Sequence, residues 1–244
     1  MKMTTSSRLA LLFTLALFAA GLVAPPARAT PDDDLSVVAA DMHRQLARIS
    51  MIKSSIIAGR LEDVRKPASR LSDPDALAGL PADYKPYIAD MKAYARQLAE
   101  AGDLGSAADS VARMANTCGN CHRRKGVDLE FGFDKIPRQD IEDIVTHMQR
   151  HQWAADQLWD GLIGPSNNAW NRGIDMLIDV PLEPSDVTTA HEHFDEINRV
   201  GRRIHELART GTETGRPDVR SDMYGEILQL CAGCHQLLGH GPGH

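Results

Sequence analysis

The sequence has no spare cysteine, no strand-like alternation and no apolar segment of membrane length. All four cysteines belong to two five-residue motifs, so none is left for a structural disulfide. The absence of alternating apolar and polar runs excludes the βαβ context of a thioredoxin-like redox pair. No acid–base constellation stands apart from the two motifs, so we do not expect a dedicated enzyme site.

Both motifs, at residues 118–122 and 231–235, read C-x-x-C-H. This spacing lets two thiolates add to the vinyl groups of one haem while the adjacent histidine ligates its iron. Two copies that use every cysteine of the chain predict two covalently bound haem c groups. The predicted haem-binding residues are Cys118, Cys121, Cys231 and Cys234, and the predicted iron ligands are His122 and His235.

Zinc is the alternative ligand of two C-x-x-C pairs, because four thiolates make a common structural zinc site. In a zinc ribbon the pairs are separated by about 15–20 residues. Here more than a hundred residues separate Cys121 from Cys231. The spacing therefore favours haem.

The N-terminus has the pattern of a secretory signal peptide at residues 1–29. Lys2 and Arg8 precede an uncharged apolar run at residues 9–23, which is short for a membrane span, and Ala27-Arg28-Ala29 is a small-x-small cleavage pattern. We therefore expect a mature chain that begins at Thr30. Export to the periplasm would bring the chain to the compartment where c-type haem is attached.

The charge balance is acidic. The chain has 27 Lys and Arg against 33 Asp and Glu, and the signal peptide removes three basic residues, which leaves 24 against 33 and a net charge of −9. Nucleic acid is therefore not an expected partner, whereas a basic redox partner protein is compatible with this charge.

The chain contains an internal repeat, because residues 42–73 align with residues 148–179 without a gap. Apolar residues recur at helical spacing throughout both repeats. The pattern predicts an all-α fold of two tandem antiparallel four-helix bundles, each with its C-x-x-C-H motif in the last helix. The predicted domains are residues 30–124 and 138–244, joined by a linker at residues 125–137.

Breakers and periodicity also predict where the helices lie. The first helix of each repeat carries an apolar stripe of about six turns, through Met42 in repeat one and Met148 in repeat two. The second helix is expected at residues 61–71 and 168–177, the third at 85–101 and 185–208, and the fourth at 106–123 and 218–238. Ser185 is the expected N-cap of the third helix in repeat two.

A four-helix unit with C-x-x-C-H in its last helix resembles the class II c-type cytochromes, cytochrome c-prime and its low-spin relatives. In that family the first helix presents a residue to the distal face of the haem. The resemblance implies that Met42 and Met148 are the second axial iron ligands. For the second haem His151 is an alternative, because it lies three residues after Met148 on the same inward face, where repeat one has Gln45.

We therefore expect a periplasmic dihaem c-type cytochrome that transfers single electrons between redox partner proteins, and not an enzyme. The first alternative is binding or sensing of a small gas, such as NO or CO, at a five-coordinate haem. Repeat two is the better candidate for gas binding, because the sequence does not decide between Met148 and His151 as its distal ligand. Haem-based catalysis is the second alternative and ranks last.

Overall fold

The structure is a computed structural model that describes residues 31–127, 129, 135–137, 143–182, 192–212 and 214–239. The predicted signal peptide, part of the predicted linker and the expected cap at Ser185 lie outside these residues. The described part of the chain is helical and contains no strand, which confirms the all-α prediction. Its helices are α1 (Pro31–Ile57), α2 (Glu62–Leu71), α3 (Lys85–Glu100), α4 (Leu104–Lys125), α5 (Ile144–Ile163), α6 (Asn167–Asp179), α7 (Phe194–Gly211) and α8 (Pro217–Leu238).

Short polar side chains start three of these helices. The Asp103 carboxylate accepts from the Ser106 amide at 2.8 Å before α4. Asp143 does the same for the Thr146 amide at 2.9 Å before α5. The Ser166 hydroxyl accepts from the backbone amide of Ala169 at 3.2 Å before α6. Each cap satisfies a backbone N–H that has no partner within its helix.

Within each repeat, consecutive helices pack side by side, as α1–α2–α3–α4 and α5–α6–α7–α8. The most extensive helix contact, however, joins the repeats through α4 and α8. Arg113, halfway along α4, pairs with Asp222 near the start of α8, whereas Gly105 at the start of α4 shares a groove with Gln229, about two turns further along α8. The two helices are therefore antiparallel, and their C-x-x-C-H motifs lie at opposite ends of the pair.

One hydrophobic core extends through both repeats. From α4 it takes small side chains, among them Ala107, Ala108 and Ala112, which are fully buried and allow α8 to approach closely. From α8 it takes Tyr224, whose hydroxyl donates to the Ala155 carbonyl of α5 at 3.0 Å. The repeats are thus packed against each other as well as within themselves.

Candidate functional site

The first C-x-x-C-H motif occupies the last turns of α4. Residues three and four apart lie on one helical face, so Cys118, Cys121 and His122 project from the same side. Both thiols are half-buried, and Cys118 packs against the main core. Gly119 is buried because the end of α5 lies against it, and a β-carbon at this position would be 2.0 Å from the Leu162 carbonyl oxygen.

The second motif occupies the last turns of α8 in the same way. Cys231 is half-buried and packs on the main core, whereas Cys234 is 7% exposed. Cys234 belongs to a small apolar cluster with Leu182 and Ile197, and Met148 packs against this cluster. The structure thus brings the candidate distal methionine of α5 close to the second motif.

Burial raises the pKa of these thiols. The pKa of Cys118 and that of Cys231 are each raised to about 12, in both cases chiefly by burial and then by the neighbouring cysteine of the motif. Burial likewise raises the pKa of Cys234 to about 11. A thiol disulfide-exchange centre needs the opposite shift, because the thiolate is the reactive form. The environment of the cysteines is therefore unlike that of a redox-active C-x-x-C pair.

Both motif histidines make the same hydrogen bond. His122 Nδ1 lies 2.7 Å from the carbonyl oxygen of Ile163, and His235 Nδ1 lies 2.6 Å from that of Ile57. A carbonyl oxygen only accepts, so the proton is on Nδ1 in each ring. In that tautomer Nε2 carries the lone pair, which is the arrangement of a metal-ligating histidine held by an outer hydrogen-bond acceptor.

A mainly apolar pocket lies beside the second motif, and we call it the α8 pocket. Its volume is about 60 Å³, so a macrocycle would enter it only if the lining side chains moved apart. Its walls come from α5, α7, α8, the end of α1 and Leu182, which follows α6. The lining residues are Ile57, Met148, His151, Gln152, Ala155, Leu182, Val200, Ile204, Cys231, Cys234 and His235.

The chemistry of this lining fits haem c. Two thiols, a histidine with its lone pair on Nε2 and a thioether meet at one apolar pocket. These are the groups that attach and ligate a c-type haem, and apolar walls suit the body of the macrocycle. Cys231, Cys234 and His235 would hold the group, and Met148 and His151 line the same pocket as candidates for the second ligand.

The two distal candidates differ in their hydrogen bonding. The Nε2 atom of His151 lies 2.7 Å from the Val180 carbonyl oxygen, to which it donates, and 3.1 Å from Nε2 of His147. Ligation through this nitrogen would break the bond to Val180. The thioether of Met148 faces no such competition, because sulfur is at most a weak acceptor.

In repeat one, Met42 is half-buried and packs on the main core. Gln45, the counterpart of His151, is buried at 6% exposure, whereas His43 is exposed. At this aligned position of the first helix, repeat one therefore has an amide where repeat two has an imidazole.

The four cysteines do not converge on one metal site. Each pair lies at its own end of the antiparallel α4–α8 pair. Among the residues that the structure describes, no cluster of three or more His, Cys, Asp or Glu side chains has a metal-binding arrangement. This geometry does not support the zinc alternative.

The sequence patterns did not identify the carbonyls of Ile57 and Ile163 as part of the sites, because a backbone group leaves no mark on residue type. They also missed the walls that Leu182, Val200 and Ile204 contribute to the α8 pocket. Residue type does not reveal the close contact at Gly119 either, because Gly233 of the second motif is also a helical glycine and has nothing within 4 Å of its β-carbon position apart from its own helix and neighbours.

None of the helices in the described ranges combines the length and the apolar character needed to cross a bilayer. Comparison of the chain with protein-family models, with curated proteins and with solved structures finds no match in any of the three. The motifs and their geometry are therefore the features that indicate function.

Proposed function

We propose that this chain is a periplasmic dihaem cytochrome of the class II c type, which transfers single electrons between redox partner proteins. In this proposal each repeat is an antiparallel four-helix bundle that holds one haem c. The observation that supports it most is the α8 pocket, where Cys231, Cys234, His235 and Met148 line one apolar space. When bound, haem supplies an iron that accepts and releases one electron.

The protein residues hold and tune that iron. Cys118 with Cys121, and Cys231 with Cys234, attach the two macrocycles. His122 and His235 provide the proximal nitrogens, and the carbonyls that accept from Nδ1 make these imidazoles more basic and fix their orientation.

Met42 and Met148 are the proposed distal ligands. A thioether raises the reduction potential relative to a second imidazole. For the second haem, the hydrogen bond from His151 Nε2 to Val180 supports Met148 over ligation by His151 through that nitrogen.

Two measurements test attachment. The mass of the mature protein should exceed that of the polypeptide by two haem groups, and its N-terminal sequence should begin at Thr30. A mass equal to polypeptide plus zinc would contradict the proposal. We call the haem at Cys118 and Cys121 the first centre, and the haem at Cys231 and Cys234 the second centre. His122→Ala should change the spectrum of the first centre and leave the spectrum of the second centre unchanged.

Substitution at the distal positions separates the candidate ligands. Met42→Ala should convert the first centre to high spin and open it to carbon monoxide, and Met148→Ala should do so for the second. His151→Ala should leave the second centre low spin, as should the exposed control His43→Ala.

Magnetic and optical spectra, recorded with and without carbon monoxide, show the spin state of each centre and whether it binds the gas. Loss of the low-spin signal in His151→Ala alone would reverse the ligand assignment. A second centre that is high spin and binds carbon monoxide before any substitution would support the gas-binding function instead.

A further inference from the structure

The hydrogen bonds of the motif histidines cross between the repeats. His122 belongs to repeat one and donates to Ile163 of repeat two. His235 belongs to repeat two and donates to Ile57 of repeat one. Ile57 and Ile163 align in the repeat, each as the last residue of its first helix. The exchange is therefore reciprocal.

Local sequence explains why these carbonyls are available at the end of α1. Gly59 has a left-handed φ of +74°, and its amide donates to Ile56 at 2.9 Å while the Arg60 amide donates to Ser55 at 2.9 Å. These two bonds form the Schellman ending of a helix. They use the carbonyls of Ile56 and Ser55, and the next carbonyl, that of Ile57, accepts from His235.

The end of α5 reaches the same result by a different route. The Gly164 amide donates to Asp160 at 2.8 Å, and Pro165 follows without an N–H to donate. The Ile163 carbonyl directly precedes Gly164, and it accepts from His122. Two unlike helix endings thus present equivalent acceptors to the two motifs.

We propose that each haem site of this chain is completed by the other repeat, with the backbone carbonyls of Ile57 and Ile163 as the positioning groups of the opposite proximal histidine. This inference rests on the proposed function. Its consequence is that the redox properties of the first centre depend on the α5–α6 corner of repeat two. The properties of the second centre depend in the same way on the α1–α2 corner of repeat one.

A glycine in repeat two allows a test at a distance from the first motif. At Gly161, two residues before Ile163, a β-carbon would lie 2.8 Å from the Trp170 amide nitrogen and 3.0 Å from the Trp170 α-carbon. Backbone atoms cannot yield as a flexible side chain does. Gly161→Ala should therefore displace the end of α5 and weaken the bond between Ile163 and His122.

Gly173→Ala is the matched control. It also introduces a β-carbon into the α5–α6 contact, 2.7 Å from the Ala154 carbonyl oxygen. The strain there falls nine residues before Ile163, next to Ala155, which lines the α8 pocket. Gly173→Ala should therefore leave the first centre unchanged.

The reduction potentials of both centres are measured by redox titration of the full-length protein with both haems attached. The spectral change in His122→Ala identifies which signal belongs to the first centre. Losing the outer hydrogen bond of a ligating histidine makes the ring less basic and disfavours ferric iron. At a fixed potential, we expect the ratio of ferrous to ferric iron at the first centre to rise about tenfold in Gly161→Ala. This is the low end of the effect expected for the loss of such a hydrogen-bond partner. That corresponds to about 59 mV higher potential for a one-electron couple.

The outcomes separate the inference from the proposed function. Two haem additions in the native mass, with the first centre shifted by Gly161→Ala and not by Gly173→Ala, support the inference. An unchanged first centre in both variants, or an equal shift in both, overturns it while the cytochrome assignment stands. Absence of the two haem additions removes the proposed function itself.

If Gly161→Ala does not fold, the same hydrogen bond can be tested in the native protein. In the diamagnetic ferrous state, proton NMR should show a nuclear Overhauser contact between the His122 ring N–H and backbone protons of Ile163 and Gly164. An assigned His122 N–H without contacts to repeat two would overturn the inference.

Discussion

The glycines of the two motifs allow a direct test of how the repeats pack. Gly119 is pressed against the end of α5, with a β-carbon position 2.0 Å from the Leu162 carbonyl oxygen. Gly233 lies in the corresponding helix of repeat two and has no atom within 4 Å of its β-carbon position apart from its own helix and neighbours. Gly119→Ala and Gly233→Ala therefore make the same chemical change in two different surroundings.

The expected magnitudes follow from two effects. Replacing a helical glycine by alanine adds about 1 kcal/mol of stability through helix propensity alone. Gly233→Ala should show this gain. Gly119→Ala has the same gain but must also separate α4 from the Leu162 backbone, and overpacking of this kind costs about 1–3 kcal/mol, toward the upper end when the neighbour is backbone.

The two variants should therefore differ by about 3 kcal/mol in their free energies of unfolding, with Gly119→Ala the less stable. For a chain of this size that is a difference of about 6–12 °C in Tm. Urea unfolding followed by circular dichroism measures it, with the haem content of each variant checked by mass. Equal stabilities would refute the close approach of α4 to α5 and with it the geometry that brings His122 to Ile163.

Three further predictions concern groups outside the motifs. Tyr224→Phe removes the hydroxyl that donates to a buried α5 carbonyl at 3.0 Å, and urea unfolding should show a loss of about 1–2 kcal/mol. Lys53 is 5% exposed and pairs with Asp156 across the repeats, so Lys53→Ala should lower the free energy of unfolding by about 1–3 kcal/mol, whereas the same change at an exposed lysine should not. Hydrogen bonds from Ser106, the backbone one first, lower the pKa of Asp103 below its ordinary 3.8. The charged Asp103 cap therefore stabilises the fold fully when the pH is above the ordinary pKa of 3.8, and its contribution is lost as the pH falls through the lowered pKa of the folded state. Asp103→Asn, which keeps an acceptor, should make the stability–pH curve less steep at its acid end.

Much of the helix layout could be predicted from periodicity and breakers. The third helix of repeat one was expected at residues 85–101 and is Lys85–Glu100, and the fourth helix of repeat two was expected at residues 218–238 and is Pro217–Leu238. These predictions succeeded because apolar spacing and terminal glycine or proline act locally.

The contacts between the repeats could not be predicted in the same way. Apolar spacing says which face of a helix is buried but not which helix covers it. The alanine-rich face of α4 was a signal for close packing, yet nothing in it names α8 as the partner. The acceptors at Ile57 and Ile163 are still less visible, because every residue carries a backbone carbonyl. The predicted haem attachment and the distal roles of Met42 and Met148 remain predictions for the experiments above.

The antiparallel contact of α4 with α8 joins equivalent helices of the two repeats, with Arg113 and Asp222 on facing sides. Two identical separate chains could make such a contact only by association, and it would then weaken on dilution. Here both helices belong to one polypeptide, in which residues 126–143 connect the last helix of repeat one to the first helix of repeat two. A covalent connection makes the contact between the helices intramolecular, so it does not weaken on dilution. The pairing of the repeats, and of the sites at their ends, is therefore independent of how much protein the compartment contains.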